Sequence, residues 1–382
     1  MAEIDTTAID EHLWQLWDQK GTDLLFTAGV PPLLRVNGTM GPAEGAPVLT
    51  AADTERIVSS LLPPEVAEEF AREKDADFSF GWGDRARFRA NVFQQQGAMG
   101  LSLRLIPFKI PSFEELGLPA IVERFVSVPR GLVLATGPTG AGKSTTLASM
   151  IDRINQQRRC HIITIEDPIE YVHVHKMAAV NQREVGLDTT SFPRGIRAAL
   201  RADPDVLLVG EIRDEETAGI AMQAGMTGHL VLTTVHAHNA ASAIERLKDM
   251  GVEPGLLANA VNCIVAQRLA RRLCTDCREA YWPSDEELES MGMFERKGEI
   301  YLHHSKGCGR CGGTGYRGRV ALYEVMPVTV EIRRLVGAPT DEIFNAAVRE
   351  GMTTLRQDGL RLCLEGVSSL EEIRRVTGDR LG

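Results

Sequence analysis

Eight residues, Gly137-Pro138-Thr139-Gly140-Ala141-Gly142-Lys143-Ser144, fit the pattern G-x-x-x-x-G-K-[ST]. Glycines at these positions let backbone N–H groups close around a phosphate chain. Lys143 is placed to reach the β- and γ-phosphates, and the Ser144 hydroxyl to ligate Mg²⁺. The run Gly131 to Thr136 reads as a buried strand entering the loop, and Thr145 to Asn155 as a helix leaving it. That order predicts a nucleoside triphosphate site, with Gly137 through Thr145 as the binding segment.

Other candidates sit at the ends of apolar runs. Val206-Leu207-Leu208-Val209-Gly210-Glu211 ends in a carboxylate, with glycine where an aspartate is usual. Glu211 is therefore expected to face the metal together with Ser144. Thr164-Ile165-Glu166-Asp167-Pro168-Ile169-Glu170 places three acids at another strand end, and ligands bind at the carboxyl ends of parallel strands. A carboxylate there orients or deprotonates the attacking water; Glu170 is preferred and Glu166 is the alternative. His229 and His236 bracket Leu230 to Val235 and are expected near the γ-phosphate as nucleotide sensors. Arg197 and Arg201 share a helix face, and Arg89 and Arg104 lie on strands far from the loop in sequence. Arginines from another domain or subunit can neutralise transition-state charge; surface ion pairs are the alternative.

Cys274, Cys277, Cys308 and Cys311 form two C-x-x-C pairs with the glycines 307, 309, 312, 313 and 315 crowding the second. Two such pairs fold back into a tetrahedral thiolate site, which predicts structural Zn²⁺. Cys160, Cys263 and Cys363 read as small core residues, and His303 and His304 as loop residues.

A length of 382 residues exceeds one core, so two or three domains are expected. Apolar residues at 43% and charged residues at 25% exclude the disordered class. The net charge of −10 argues against a primary nucleic-acid binder. The acidic start lacks an apolar signal region, and no apolar run approaches the ~18 residues of a membrane span. The expectation is a cytoplasmic protein that meets the membrane only through partners.

These residues need elements to position them. Residues 1–106 read as an α+β unit: a helix over Ile9 to Gln19 carrying Trp14 and Trp17, strands over 23–27 and 32–38, a helix over Thr50 to Leu62, and antiparallel strands over 77–80, 85–95 and 99–106. Residues 107–119 read as a proline-flanked linker. Residues 120–270 alternate strands (131–136, 161–166, 205–210, 229–235) with helices, which predicts a mostly parallel sheet covered on both faces. A tetracysteine module at 271–320 and a helical region at 321–382 follow, with Ser368-Ser369-Leu370-Glu371 as a capping-box match.

The chain resembles the ATPase family that powers type II secretion and type IV pili (GspE, PilB and PilT). The resemblance rests on GPTGAGKSTTL at 137–147, TIEDPIE at 164–170, RADPDVLLVGEIRD at 201–214 and TGHLVLTTVHAHNA at 227–240. It implies an α/β fold: a PAS-like N-terminal domain, then a RecA-like P-loop ATPase domain with a zinc module and a helical tail. It implies a Mg²⁺-dependent ATPase working as a homo-hexamer, peripheral at the inner face of the cell membrane, on an inner-membrane platform protein. The family's N-domain arginines fall on Arg89 and Arg104, and its ATPase-domain arginines on Arg197 and Arg201. TAGVPPLLRVNG at 27–38, PSFEELGLP at 111–119 and VNQREVGLDTTSF at 180–192 are similar to retraction motors. The cysteine module, GYRGRVALYEV at 315–325 and GMTTLRQDGL at 351–360 are similar to assembly and secretion motors, and the reading leans towards assembly.

Two other functions are weighed against this one. A RecA-like nucleic-acid translocase would show DNA-stimulated turnover with steep salt dependence, and the acidic balance opposes it. A nucleotide-gated adaptor would bind without hydrolysis, and the presence of Lys143, Glu170 and Glu211 opposes that.

Overall fold

The computed structural model describes residues 4–36, 38–83, 85–107 and 109–378. Residues 1–3 of the acidic start, Asn37 of the second expected strand, Phe108 of the linker and 379–382 of the tail lie outside them. The chain divides into two units, Met1–Lys109 and Ile110–Gly382.

In the first unit, β1 (Asp23–Phe26), β2 (Leu33–Val36), β3 (Thr39–Pro42), β4 (Asp75–Trp82), β5 (Ala86–Gln95) and β6 (Ala98–Pro107) form one antiparallel sheet, ordered β3-β2-β1-β6-β5-β4. The core face shows the period of two that the sequence carries. Ala86, Phe88, Ala90 and Val92 are fully buried on β5, whereas Arg89 is exposed. Helices Asp10–Asp18, Ala51–Leu61 and Pro64–Glu73 deliver Leu13, Leu16, Ile57, Val58 and Phe70 to the same core. The first helix begins one residue later than expected, because Ile9 is its N-cap. Trp14 stays partly exposed, edge-on to Trp82 at 4.9 Å.

The second unit contains β7 (Gly131–Thr136), β8 (His161–Glu166), β9 (Ala179–Glu184), β10 (Val206–Val209), β11 (Leu230–Val235), β12 (Val261–Leu273), β13 (Arg278–Tyr281), β14 (Leu302–Ser305) and β15 (Tyr316–Pro327). Seven of these make a sheet ordered β15-β12-β7-β11-β10-β8-β9. It is parallel from β12 to β9, and β15 closes the edge antiparallel to β12. Alternate residues of the central strands enter two different cores. Leu132, Leu134, Ile163, Ile165, Leu207, Val209 and Val231 pack on one face. Val133, Ala135, Ile162, Val206, Leu208, Leu230 and Leu232 pack on the other. Burial on both faces is why these strands read as continuous apolar runs. Strands β9, β12 and β15 were not expected from the sequence; β9 and the outer half of β12 mix polar with apolar residues.

The cysteine pairs lie on the excursion between β12 and β15. His303 and His304 belong to β14, in a ribbon with β13, rather than to a loop. Among the described residues no helix is long and apolar enough to cross a membrane.

The expected capping box at Ser368 is displaced by one residue. Ser369 is the N-cap of helix Leu370–Thr377 and accepts the Glu372 N–H. Glu372 does not return the bond. Its carboxylate, on a fully buried residue, takes the Arg271 N–H at 2.9 Å, the Arg271 guanidinium at 2.8 Å and the Arg375 guanidinium at 2.7 Å. Burial alone would push this carboxyl up, but the Arg375 and Arg271 hydrogen bonds outweigh it and hold it at about 2. The stabilisation is therefore present above the unfolded value of ~4.3 and is lost as pH falls towards about 2. Glu372→Gln should destabilise the unit by about 3 kcal/mol at pH 7. Thermal unfolding should show the deficit shrinking below pH 4; a deficit independent of pH would contradict this account.

Candidate active site

Strand β7 is buried along its whole length and runs into the glycine loop, after which helix Lys143–Gln157 begins. Gly137 has φ +147°, and a Cβ there would lie 2.4 Å from the Gln267 carbonyl oxygen, so no side chain fits. Gly142, with φ +88°, is the N-cap. Lys143 is buried beneath the exposed segment 138–140. Its Nζ donates to the carbonyls of Gly137 (2.9 Å) and Pro138 (3.2 Å). Burial lowers the Lys143 pKa, while Glu211 and Glu170 pull it up. The loop thus holds a cation inside an arc of backbone at a helix N-terminus, and Gly140 is open on its outer side. This donor set fits a polyphosphate.

Neighbouring strands bring the acids and a histidine to the same end of the sheet. Glu211 follows β10, is ion-paired with Arg213, and lies 3.8 Å from His236 Nε2. Gly210 is fixed on both sides: its N–H donates to Ile165 O (2.8 Å) and its carbonyl accepts from Thr234 Oγ1 (2.8 Å). His236, just past β11, has its pKa lowered, first by burial and then by Lys143. Glu170 is close enough to Lys143 and Glu166 to perturb both. Ser144 is exposed at the helix start, and Thr145 Oγ1 meets the Tyr171 hydroxyl at 3.0 Å. Glu166 ends β8, where Thr164 Oγ1 (2.7 Å) and Gln182 Nε2 (3.1 Å) donate to one carboxyl oxygen. Burial nevertheless pushes its pKa up to about 7.

Two expected residues, His229 and Arg201, lie away from this cluster within the chain, and a third, Arg197, is held in an ion pair. His229 precedes β11, and Leu230 pairs with Gly131 at the start of β7. It therefore sits at the opposite end of the strand from His236, about 20 Å away at ~3.3 Å per residue. The expectation that both histidines reach one γ-phosphate is corrected by that distance. Arg197 pairs with Glu216 at 2.7 Å, and the Arg201 guanidinium donates to the Arg197 carbonyl at 3.0 Å. Arg201 caps the C-terminus of its helix beside Ala202, whose carbonyl meets His161 at the start of β8. That is the sheet end remote from the glycine loop.

In the first unit, Arg89 and Arg104 are direct cross-strand partners on the exposed face. The register extends them into one row, Arg35–Asp23–Arg104–Arg89–Ser79. Asp23 accepts from Arg104 Nε at 2.8 Å and lies 3.4 Å from Arg35 Nε.

Sequence reasoning missed Gln267, which is buried on β12 and donates to the Ala141 carbonyl at 2.7 Å. The only sequence signal was an amide inside the apolar run Val261 to Leu269. Tyr171, Gln182 and Arg213 were also missed, since each acts through a fold-dependent contact.

The four module sulfurs lie within 4.8 Å of one another, with edges of 3.8 and 3.9 Å. A disulfide would need ~2.05 Å, and all seven cysteines are free. A tetrahedral tetrathiolate with ~2.3 Å bonds has edges of ~3.8 Å. The N–H groups of Cys308 and Gly315 point at Cys311 Sγ from 3.1 and 3.2 Å, as they would to a thiolate. The set therefore fits a tetrahedral metal ion.

The raised pKa of Glu166 has a stability consequence. Between the ordinary carboxylate range and about 7, the folded chain holds this proton more tightly than the unfolded chain, so stability falls as pH rises through that window. Glu166→Gln removes the titration. In nucleotide-free protein its gain in Tm should be larger at pH 8 than at pH 5. Equal gains at both would place the carboxyl in a solvated environment.

Comparison with known proteins accords with this geometry. Residues 86–375 match the family model described as type II/IV secretion system protein. The chain is 45% identical over 272 residues to the type IV pilus assembly ATPase PilB of Thermus thermophilus, covering 69% of this chain and 30% of that protein. It is 36% identical over 355 residues to the type IV pilus retraction ATPase PilT of Pseudomonas aeruginosa, covering 91% and 90%. It therefore spans less than a third of the first relative and most of the second. A crystal structure of the pilus retraction motor PilT with bound ADP superposes with a TM-score of 0.78 at 35% identity, covering 96% of each chain. With the match extending from the first unit through the glycine loop, the cysteine module and the last helix, the chain belongs to the type II/IV secretion system protein family.

Proposed function

We propose that the chain is an ATP-hydrolysing motor subunit of a type IV pilus or type II secretion machine. One observation carries the reading. Four adjacent parallel strands, β7, β11, β10 and β8, deliver Lys143, His236, Glu211 and the Glu166–Glu170 segment to one end of one sheet. The first unit is read as PAS-like and the second as a RecA-like P-loop domain. Residues 107–119 are read as the linker, 271–320 as the zinc module between the ends of β12 and β15, and 321–382 as the C-terminal region, which is helical after β15 ends at Pro327. The motor is a homo-hexamer at the cytoplasmic face of the inner membrane, attached through a platform protein.

The segment Gly137–Thr145 wraps the phosphates of ATP. Lys143 exchanges its two loop carbonyls for β- and γ-phosphate oxygens, which share its charge better than neutral acceptors do. Ser144 and Glu211 would hold Mg²⁺, which when bound neutralises charge on the phosphoryl oxygens. Glu170, the acid of this segment that acts on Lys143, orients the attacking water; Glu166, buried at the strand end and held by Thr164 and Gln182, is the alternative base. His236, kept neutral by burial and Lys143, offers a hydrogen bond beside Glu211 without adding charge. Arg89 and Arg104 of one copy complete the site of a neighbour, and Arg197 and Arg201 are read as neutralising transition-state charge from another copy.

Steady-state turnover tests the assignment. Lys143→Ala should abolish hydrolysis, and Glu211→Gln should keep ATP binding while losing turnover. Arg89→Ala and Arg104→Ala should each lower turnover more than about tenfold, since such arginines contribute ~10³–10⁵ in other phosphoryl-transfer enzymes. Wild-type turnover in the Lys143 variant would overturn the site. Wild-type turnover in both arginine variants, or full activity of a dilute monomer, would overturn the ring.

The tetracysteine cluster is proposed to hold one structural Zn²⁺, with no open coordination position for catalysis. Elemental analysis should find stoichiometric zinc in the purified protein. Cys308→Ser or chelation should lower the melting temperature of the module while leaving ATP binding intact. Metal-free protein with an unchanged melting profile would contradict it.

A further inference from the structure

Glu324 lies on β15 with 2% of its surface exposed. Its two carboxylate oxygens are shared between two helices. One accepts the Ala240 N–H at 2.8 Å and the other the Leu355 N–H at 3.3 Å. These are the first residues of helices Ala240–Asp249 and Leu355–Leu364. Asn239 and Thr354 already cap the third N–H of each helix. Glu324 supplies acceptors that the first turns otherwise lack, and both helix dipoles favour an anion there.

What these helices carry gives the contact its meaning. The turn 236–239 joins β11 to the first helix and begins with His236, beside Glu211 and Lys143. Arg268 donates to the His238 carbonyl at 3.1 Å and holds the same turn. The second helix is seated directly on β15. Asp358 accepts the Tyr323 N–H at 2.9 Å, and a Cβ on Gly359 would lie 2.8 Å from Leu322 Cδ2. A shift of the turn therefore moves a group bonded to the same carboxylate as the start of the C-terminal helix.

We infer that Glu324 is a positioning residue that fixes the histidine-bearing turn 236–239 at the nucleotide site and ties helix Leu355–Leu364 to it. It acts through the two helix N-termini and does not touch substrate. The inference rests on the function proposed above for that site.

Glu324→Gln keeps the shape but leaves one acceptor oxygen for two donors. Its kcat should fall about tenfold with KM for ATP changed less than about threefold, a misorientation effect rather than a binding effect. Hydrogen exchange with and without a non-hydrolysable ATP analogue supplies the second readout. In the wild type the analogue should slow exchange at 137–144, at 236–241 and at 355–358. In Glu324→Gln the response at 137–144 should remain and that at 355–358 should vanish. Leu355→Pro removes the second N–H at a position where proline suits a helix start, and it also trims a side chain buried in the core around Leu322 and Leu360, so its fold is checked by thermal melting first. It should uncouple 355–358 while keeping the response at 236–241, and it serves if Glu324→Gln fails to fold. A wild-type response at 137–144 without one at 355–358, or a coupled response persisting in the variant that folds, would overturn the inference alone. No response at 137–144 in the wild type would instead overturn the nucleotide site.

Discussion

Register among parallel strands is the constraint on which the second unit depends. Each candidate group leaves the carboxyl end of a different strand, and the groups meet only because β7, β11, β10 and β8 are hydrogen-bonded side by side in that order. A slip of one residue would exchange the two faces of a strand, which would exchange the Leu132–Leu134 core for the Val133–Ala135 core. Burial on both faces opposes such a slip, because ~1.5–3 kcal/mol accompanies each large apolar side chain buried. Precision at the site is thus a by-product of packing that has no chemistry of its own.

Electrostatics at that end of the sheet is arranged by burial as much as by pairing. Lys143 is partly desolvated and leans on carbonyls, and it is opposed by Glu211 and Glu170. Glu211 is also ion-paired with Arg213, so its charge is met even without a metal. Glu166 and Glu170 lie on one segment yet differ in surroundings, which separates a carboxyl that keeps its proton near neutrality from one placed beside a cation. Two like groups on one short segment are thus separated by their environments.

The antiparallel pair β12 and β15 links the rest of the second unit to this end. Gln267 on β12 supports the loop from behind, and Glu324, paired with Ala266 across the ladder, reaches two helices. The cysteine module leaves from one of these strands and returns to the other. A tetrathiolate site there would stiffen the return. The first unit offers a different surface, an exposed row of arginines set by antiparallel register and partly neutralised by Asp23.

The sequence by itself determined the glycine loop, the apolar strands around it, the acids at their ends and the four cysteines. Each of these is written in local spacing, and a local pattern suffices when backbone conformation or ligand geometry is the requirement. Tertiary structure alone decided which of these residues share a site. His229 and His236 are equal in a linear reading, yet one strand length separates them from a common ligand. Ser368 and Ser369 are equal as caps until Arg271 and Arg375 claim the carboxylate of Glu372. Gln267 and Glu324 carry no local signature, because their partners lie 126 and 84 residues away in sequence. Contacts over such distances are fixed by strand order and burial, which no window of the sequence contains.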